Sequence, residues 1–332
     1  MSINLFQLNY ASFCPLIVLI FSVALVLLYV PHASGDKGIV DSEQVASKGS
    51  QDFNFVAAGD FGCSGKANKT ITGMKSKNPE LVLDLGDHSY RKLADCWFAT
   101  ISPLDTDDKF KITVGEHDID DNLTKYNEYL THFNLSESFY SFDYQNVHFL
   151  IMSTAKNTAI PYVKGSKQYN FVNEDLSKAS HDDRINWIIV SSFRPFYSSN
   201  TTHPGSDMLQ DTYHKLFEKY HVDIVLQAHN HNYQRTYPLL YNDTRPFTPV
   251  ITDNSKSNYY KNVKGQIFIT VGTAGQDLHN FTSQAQFVKH QFLIRGFLNI
   301  DVTDKGSKLI GSFYDNKKLK IKDWFSITKD FS

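Results

Sequence analysis

The chain opens on one long apolar block and then settles into short apolar runs separated by polar, periodic stretches. Cys14 to Val30, "CPLIVLIFSVALVLLYV", carries no charge over 17 residues, and the first basic residue anywhere is Lys37. That length just crosses a bilayer core of roughly 30 Å, and it also suits a signal-peptide core followed by the small residues of "PHASG". Residues 1–30 are therefore expected to be a signal peptide or membrane anchor. Residues 31–51 are small, polar and aperiodic, as in a linker, and residues 52–332 are expected to form a single domain.

From Asp52 onward, β-branched runs alternate with helix-like stretches: "FNFVAAG", a helix from about Lys66 to Lys77, "ELVLDLG", a helix around Lys92 to Ile101, then "FKITVG". Such alternation predicts right-handed βαβ units and a parallel sheet. After Thr131 the pattern changes to the strand pair "SFYSFDY" and "VHFLIMS", with Gln145 and Asn146 in the turn. A helix near Gln168 to Ala179 leads to "INWIIVSS", and one from about Asp207 to Tyr220 leads to "VDIVLQA". The chain ends β-rich, in "QIFITVG", "FLNIDV" and "KLIGSFYD". Lys317, Lys318, Lys320 and Lys322 alternate with apolar residues, as on the wet face of an edge strand. The expected fold is α/β with α+β elements: a four-layer α/β/β/α sandwich of two mixed sheets, with the site at the C-terminal strand ends.

Composition adds two constraints. A 41% hydrophobic content supplies a core, while a net charge of -2 and a pI near 6.7 give no reason to expect a nucleic-acid partner. Outside the apolar block only Cys63 and Cys96 occur, each a few residues beyond an expected strand end, so neighbouring strands can bring them together as a disulfide. Asn-x-Ser/Thr sequons at Asn68, Asn122, Asn134, Asn200, Asn242 and Asn280 fit a glycosylated exterior, and the chain is expected to be exported, outside the cell or anchored facing outward.

The chemistry gathers where the strands end. "FVAAGD" delivers Asp60, "VLDLGD" delivers Asp87 with Tyr90 three residues on, "ITVGEHD" delivers Glu116, His117 and Asp118, and "LQAHNHNYQRTYP" delivers His229 and His231. A nearby Gly is expected to turn the backbone at each point. Carboxylates so gathered repel one another unless a cation joins them, and this mix of oxygen and nitrogen donors suits iron, zinc or manganese better than calcium.

With these motifs in order, Gly-Asp-x-Gly, Gly-Asp-x-x-Tyr, Gly-x-His-Asp and His-x-His, the chain from Phe53 to Pro238 resembles the calcineurin-like metallophosphoesterases, and within them the purple acid phosphatases. The resemblance implies that Asp60, Tyr90 and His231 bind a first metal, ferric iron, and that Asp87 bridges to a second. Glu116 and His229 would bind that second ion, which would be iron, zinc or manganese. His117, with Asp118 beside it, would be the catalytic pair that contacts the substrate or protonates the leaving alcohol. The pair of ions would hold a hydroxide for in-line attack on a small phosphate monoester.

Two positions break the family pattern, and both belong to the second metal. The usual Gly-Asn-His is "GEH", and the usual Val-x-x-His is "VSSF", which puts Phe193 where a His ligand is expected. Either Glu116 restores the missing donor through both its oxygens, or the second site is weak and the protein is a one-metal or non-catalytic binder of metal or phosphate. A phosphodiesterase or nucleotidase on the same scaffold is a further alternative. His88 and His203 are candidates to approach the site as substitutes or substrate contacts, and Arg194 and Arg235 to grip a phosphate by a two-pronged contact. Trp97, Trp187 and Phe196 read as core or pocket wall.

Overall fold

The computed structural model describes residues 52–156 and 160–330, so the apolar block and the expected linker lie outside the described residues. Among the described residues no helix is long and apolar enough to cross a membrane.

In chain order the first half contains β1 (Phe53–Ala58), α1 (Gly65–Lys75), β2 (Leu81–Asp84), α2 (Asp95–Ile101), β3 (Phe110–Ile112), α3 (Thr124–His132), β4 (Tyr140–Tyr144), β5 (Val147–Met152), α4 (Lys167–Ala179) and β6 (Trp187–Ser192). The second half adds α5 (Asp207–Leu209), α6 (Lys215–Lys219), β7 (Ile224–Gln227), β8 (Tyr233–Thr236), β9 (Leu239–Leu240), β10 (Val250–Ile251), β11 (Tyr259–Lys261), β12 (Ile267–Val271), β13 (Val288–Phe292), β14 (Gly296–Thr303), β15 (Lys308–Asp315) and β16 (Ile321–Thr328). Fourteen strands form two seven-stranded mixed sheets, in the orders β11-β16-β15-β14-β1-β2-β3 and β13-β8-β12-β7-β6-β5-β4, and β9 pairs with β10 separately. Strands β1, β2 and β3 run parallel in one sheet, and β5, β6, β7 and β12 run parallel in the other.

The period-two alternation of a strand explains the layering. Phe149, Ile189, Leu226 and Ile269 point into the core shared with Phe55, Ile300 and Phe313 of the opposite sheet. Their neighbours Leu150, Ile188, Val225 and Phe268 face a second core lined by Val172 and Leu176 of α4, Leu209 of α5 and Phe217 of α6. Runs apolar on both faces are what strands buried on both sides require. Helix α4 shows the complementary pattern: it buries Gln168, Val172, Leu176 and Ala179 at three- and four-residue spacing, and the Ser166 hydroxyl caps it by accepting from the Tyr169 amide at 3.1 Å.

Two departures from the sequence reading have physical causes. The helix expected over Asp207–Tyr220 is divided by a π-helical segment, Gln210–His214, which turns His214 into the core between Tyr197 Oη at 2.8 Å and Gln266 Oε1 at 3.0 Å. The C-terminal lysines do not line an edge strand: Lys317, Lys318 and Lys320 lie in the β15–β16 turn, their amides donating to Asp315, and the short β11 takes the outer position. Trp97, Trp187 and Phe196 are core residues, as expected.

Candidate metal centre

The loops that follow β1, β2, β3, β6, β7 and β12 meet at one end of the sandwich. Backbone bonds lace them together: the Asp60 amide donates to the Gly86 carbonyl at 2.9 Å, Gly59 to Val271 at 2.9 Å, and Ala228 to Phe193 at 3.0 Å. Asp60, Asp87, Tyr90 and His229 themselves occupy the left-handed region, with φ of 60°, 58°, 53° and 67°. The turn conformation expected of the glycines is thus carried largely by the chemical residues. Gly115 serves close approach instead, since a Cβ there would come within 2.3 Å of Asp87 Oδ1.

Three side chains converge on one atom, the Tyr90 hydroxyl oxygen. It lies 2.7 Å from Asp60 Oδ1, 3.1 Å from Asp87 Oδ2 and 2.9 Å from His231 Nε2. A phenol has one proton for these three acceptors. His231 Nδ1 donates to the Asp277 carbonyl at 2.7 Å, which in the neutral imidazole leaves the Nε2 lone pair facing the cluster. Among the described residues, no three His, Cys, Asp or Glu side chains are set to hold an ion by themselves; the Tyr90 oxygen is what joins them. Three oxygens and one imidazole nitrogen fit the first metal of the resemblance.

The electrostatics agree with a cation at this point. Burial and the neighbouring Asp60 and Asp118 push Asp87 well above the usual carboxylate range. Burial, Asp60 and Asp87 likewise push the Tyr90 phenol up. Burial acts to raise Asp60 too, but His231, Tyr90 and His229 outweigh it and hold the carboxyl low. His231 is raised in spite of burial because Asp60 faces it. A positive ion relieves the crowding of acids and draws the phenol toward phenolate.

The second position is different. Phe193 is fully buried, its ring centroid 4.8 Å from that of His229, and a Cβ on Gly86 would sit 2.6 Å from its ring. His229 is stacked on the other side by His203 at 3.6 Å, and burial followed by His203 lowers its pKa to about 3. Glu116 Oε1 faces Arg194 Nε at 3.9 Å and the Lys156 amide at 3.3 Å. The donors for a second ion therefore do not close on one point here.

His117 stands exposed beside the cluster, its ring 4.4 Å from that of Tyr90 and its amide donating to Asp87 Oδ1 at 2.7 Å. Arg194 lies beside Glu116, Nε–Oε1 3.9 Å, with its Nη1 donating to the Tyr162 hydroxyl at 3.0 Å.

Three candidates belong elsewhere. Asp118 is fully buried and accepts from the amides of Asp87, His88 and Gly115 at 2.9, 2.7 and 2.7 Å, which makes it the anchor of two ligand loops rather than a catalytic group. His88 is sealed between Trp97 and Tyr129, 3.1 Å from both Asp84 and Asp118; its nitrogens are off hydrogen-bond alignment, so charge ties the three. Burial opposes its protonation, but Asp118 and Asp84 prevail and raise it to about 10. Arg235 is fully buried in a two-pronged pair with Asp323, Nε–Oδ2 2.6 Å and Nη2–Oδ1 2.9 Å, and cannot reach a substrate.

The sequence reading missed His279, whose ring stacks on His231 at 3.8 Å. It lies in an aperiodic loop after β12, and no motif marks it. The Cys63–Cys96 disulfide is formed, joining the loop after β1 to α2.

This arrangement of two mixed sheets with acids and imidazoles at the strand ends defines a phosphoesterase-type fold. The chain belongs to the calcineurin-like phosphoesterase family, whose model matches residues 53–233, more than half of the 332 residues. Within it the relatives include several purple acid phosphatases. The chain is 26% identical over 283 residues to "Probable inactive purple acid phosphatase 1" of Arabidopsis thaliana, covering 77% of this chain and 44% of the relative. It is 27% identical over 218 residues to "Purple acid phosphatase 21" of the same plant, covering 60% and 48%. The chain thus spans about half the length of these curated relatives. The solved purple acid phosphatase from yellow lupin (Lupinus luteus) seeds superposes with a TM-score of 0.71 at 23% identity, over 85% of this chain and 55% of that one.

Proposed function

We propose that this chain is an exported, purple acid phosphatase-like protein that binds small phosphate monoesters at a centre built on one tightly held ion, with hydrolysis slowed by the altered second position. The observation that carries the reading is Phe193, a fully buried ring against His229 where the family pattern has a donor. Asp60, Asp87, Tyr90 and His231 would hold the ion, which when bound would supply Lewis-acid polarisation of a phosphoryl oxygen. Arg194 faces the phosphate's negative charge, and Glu116 sets its guanidinium. His117, exposed beside Tyr90, stands where a leaving oxygen needs a proton. The disulfide supports an oxidising compartment.

A second reading, a metal- or phosphate-binding protein without catalysis, is favoured by the same Phe193 and by the name of the relative called probably inactive. Metal analysis of pure protein combined with turnover of an aryl phosphate separates the two. One equivalent of iron with slow turnover supports the first reading, and one equivalent without turnover supports the second. Two tightly bound equivalents with fast turnover would overturn both.

A further inference from the structure

We propose that the segment Gln276–His279, on the loop between β12 and β13, is the clamp that positions His231 and so fixes the first ion, an inference that rests on the single-ion reading above. The Asp277 carbonyl accepts from His231 Nδ1 at 2.7 Å, which sets the tautomer. The His279 ring lies parallel to that of His231, 3.8 Å away at 15°, which sets the ring plane. The two residues also exchange bonds: the His231 amide donates to the His279 side-chain Nδ1 at 3.2 Å, and the His279 amide donates to the His231 carbonyl at 3.0 Å.

The same segment reaches a second ligand, because the amides of Gly275 and Gln276 both donate to the Asp60 carbonyl at 3.1 Å. It is itself tied down. Arg295 Nε donates to the Gln276 carbonyl at 3.0 Å, its Nη2 meets Asp277 Oδ1 at 3.1 Å, Lys66 meets the same oxygen at 2.8 Å, and Asn232 Nδ2 donates to the His279 carbonyl at 3.1 Å. A ligand free to rotate must be ordered at the moment of binding, whereas one held in tautomer and plane is ready beforehand. His279 is therefore a positioning residue: it acts through His231.

The test compares wild type, His279→Ala and His279→Phe in the full chain. Readouts are ferric-ion affinity against citrate as competitor, the visible absorption of the iron-loaded protein, and imidazole nitrogen NMR of the metal-free protein. His279→Ala is expected to lose about 10- to 100-fold in affinity, the range for partners that orient metal ligands, and its tyrosinate absorption should move. His279→Phe keeps the stack and should recover most of the affinity, which separates positioning from loss of fold. In the metal-free protein, His231 should show one tautomer in wild type and a mixture in His279→Ala, where the ring, no longer held in its plane, can swing off the Asp277 carbonyl that sets the tautomer. Wild-type affinity, absorption and tautomer in His279→Ala would overturn the clamp. Should wild type bind no iron at all, the single-ion reading falls while the metal-free NMR comparison still decides the clamp, for or against.

Discussion

Replacing Phe193 by His puts a donor back where the family pattern has one. The phenyl ring is fully buried, packed on His229 at 4.8 Å and over Gly86. Imidazole fits the volume but brings polar nitrogens into an apolar wall, at a cost of about 1–3 kcal/mol while they lack partners. At roughly 2–4 °C per kcal/mol for a domain of this size, the metal-free variant should melt on the order of 2–10 °C below wild type. A divalent ion that binds the restored site adds about 2.7 kcal/mol at a hundredfold excess over its Kd, enough to offset most of the loss. The expected signature is thus a lowered melting temperature regained on adding Zn or Mn, a second metal equivalent by elemental analysis, and a rise in aryl phosphate turnover by at least an order of magnitude. Differential scanning calorimetry with and without metal reads the first part. A folded variant that gains neither ion nor stability would show that Phe193 is not what closes the second position.

Tyr90→Phe removes the oxygen on which Asp60, Asp87 and His231 converge; iron-loaded protein should lose its visible tyrosinate band and most of its iron on dialysis, and a band that survives would refute the ligand assignment. Asp323→Asn leaves the Arg235 guanidinium buried without its counter-charge and should cost about 3–5 kcal/mol in urea unfolding, with KM for an aryl phosphate unchanged; a KM effect without a stability loss would return Arg235 to the substrate. His148, held by Asp143 at 2.7 Å and Asp175 at 2.8 Å, is raised above its ordinary 6.5 because those carboxylates outweigh burial. A raised folded pKa means its stabilisation is complete below pH 6.5 and is lost as pH rises through the folded value. Melting temperature should therefore fall across that window in wild type and fall less in His148→Phe; parallel curves would refute the assignment.

The strands and the convergence of ligands were legible because both follow local rules: apolar runs of strand length, and donors placed just past their ends. Asp60, Asp87, Tyr90 and His231, expected as donors, do lie together, while His229 packs between Phe193 and His203. Asp118 looked the same in sequence, but the tight 3-10 turn Glu116–Asp118 rotates it under the loops, a matter of one residue's direction that no spacing rule reports. Arg235 finds its partner 88 residues away, in β16, and the alternation that buries it belongs to β8, a strand hidden inside the polar motif "YQRT". His279 was invisible because its contacts exist only once β12 lies beside β7, bringing an aperiodic loop over the histidines.

Four of the candidate binding residues sit in a backbone conformation that costs an L-residue about 1–2 kcal/mol each relative to glycine. Folding alone would therefore favour glycine at Tyr90 and His229 above all, and a laboratory selection for heat resistance without any demand for ligand binding should be free to replace them. The side chains there carry a folding cost that a binding role would have to repay.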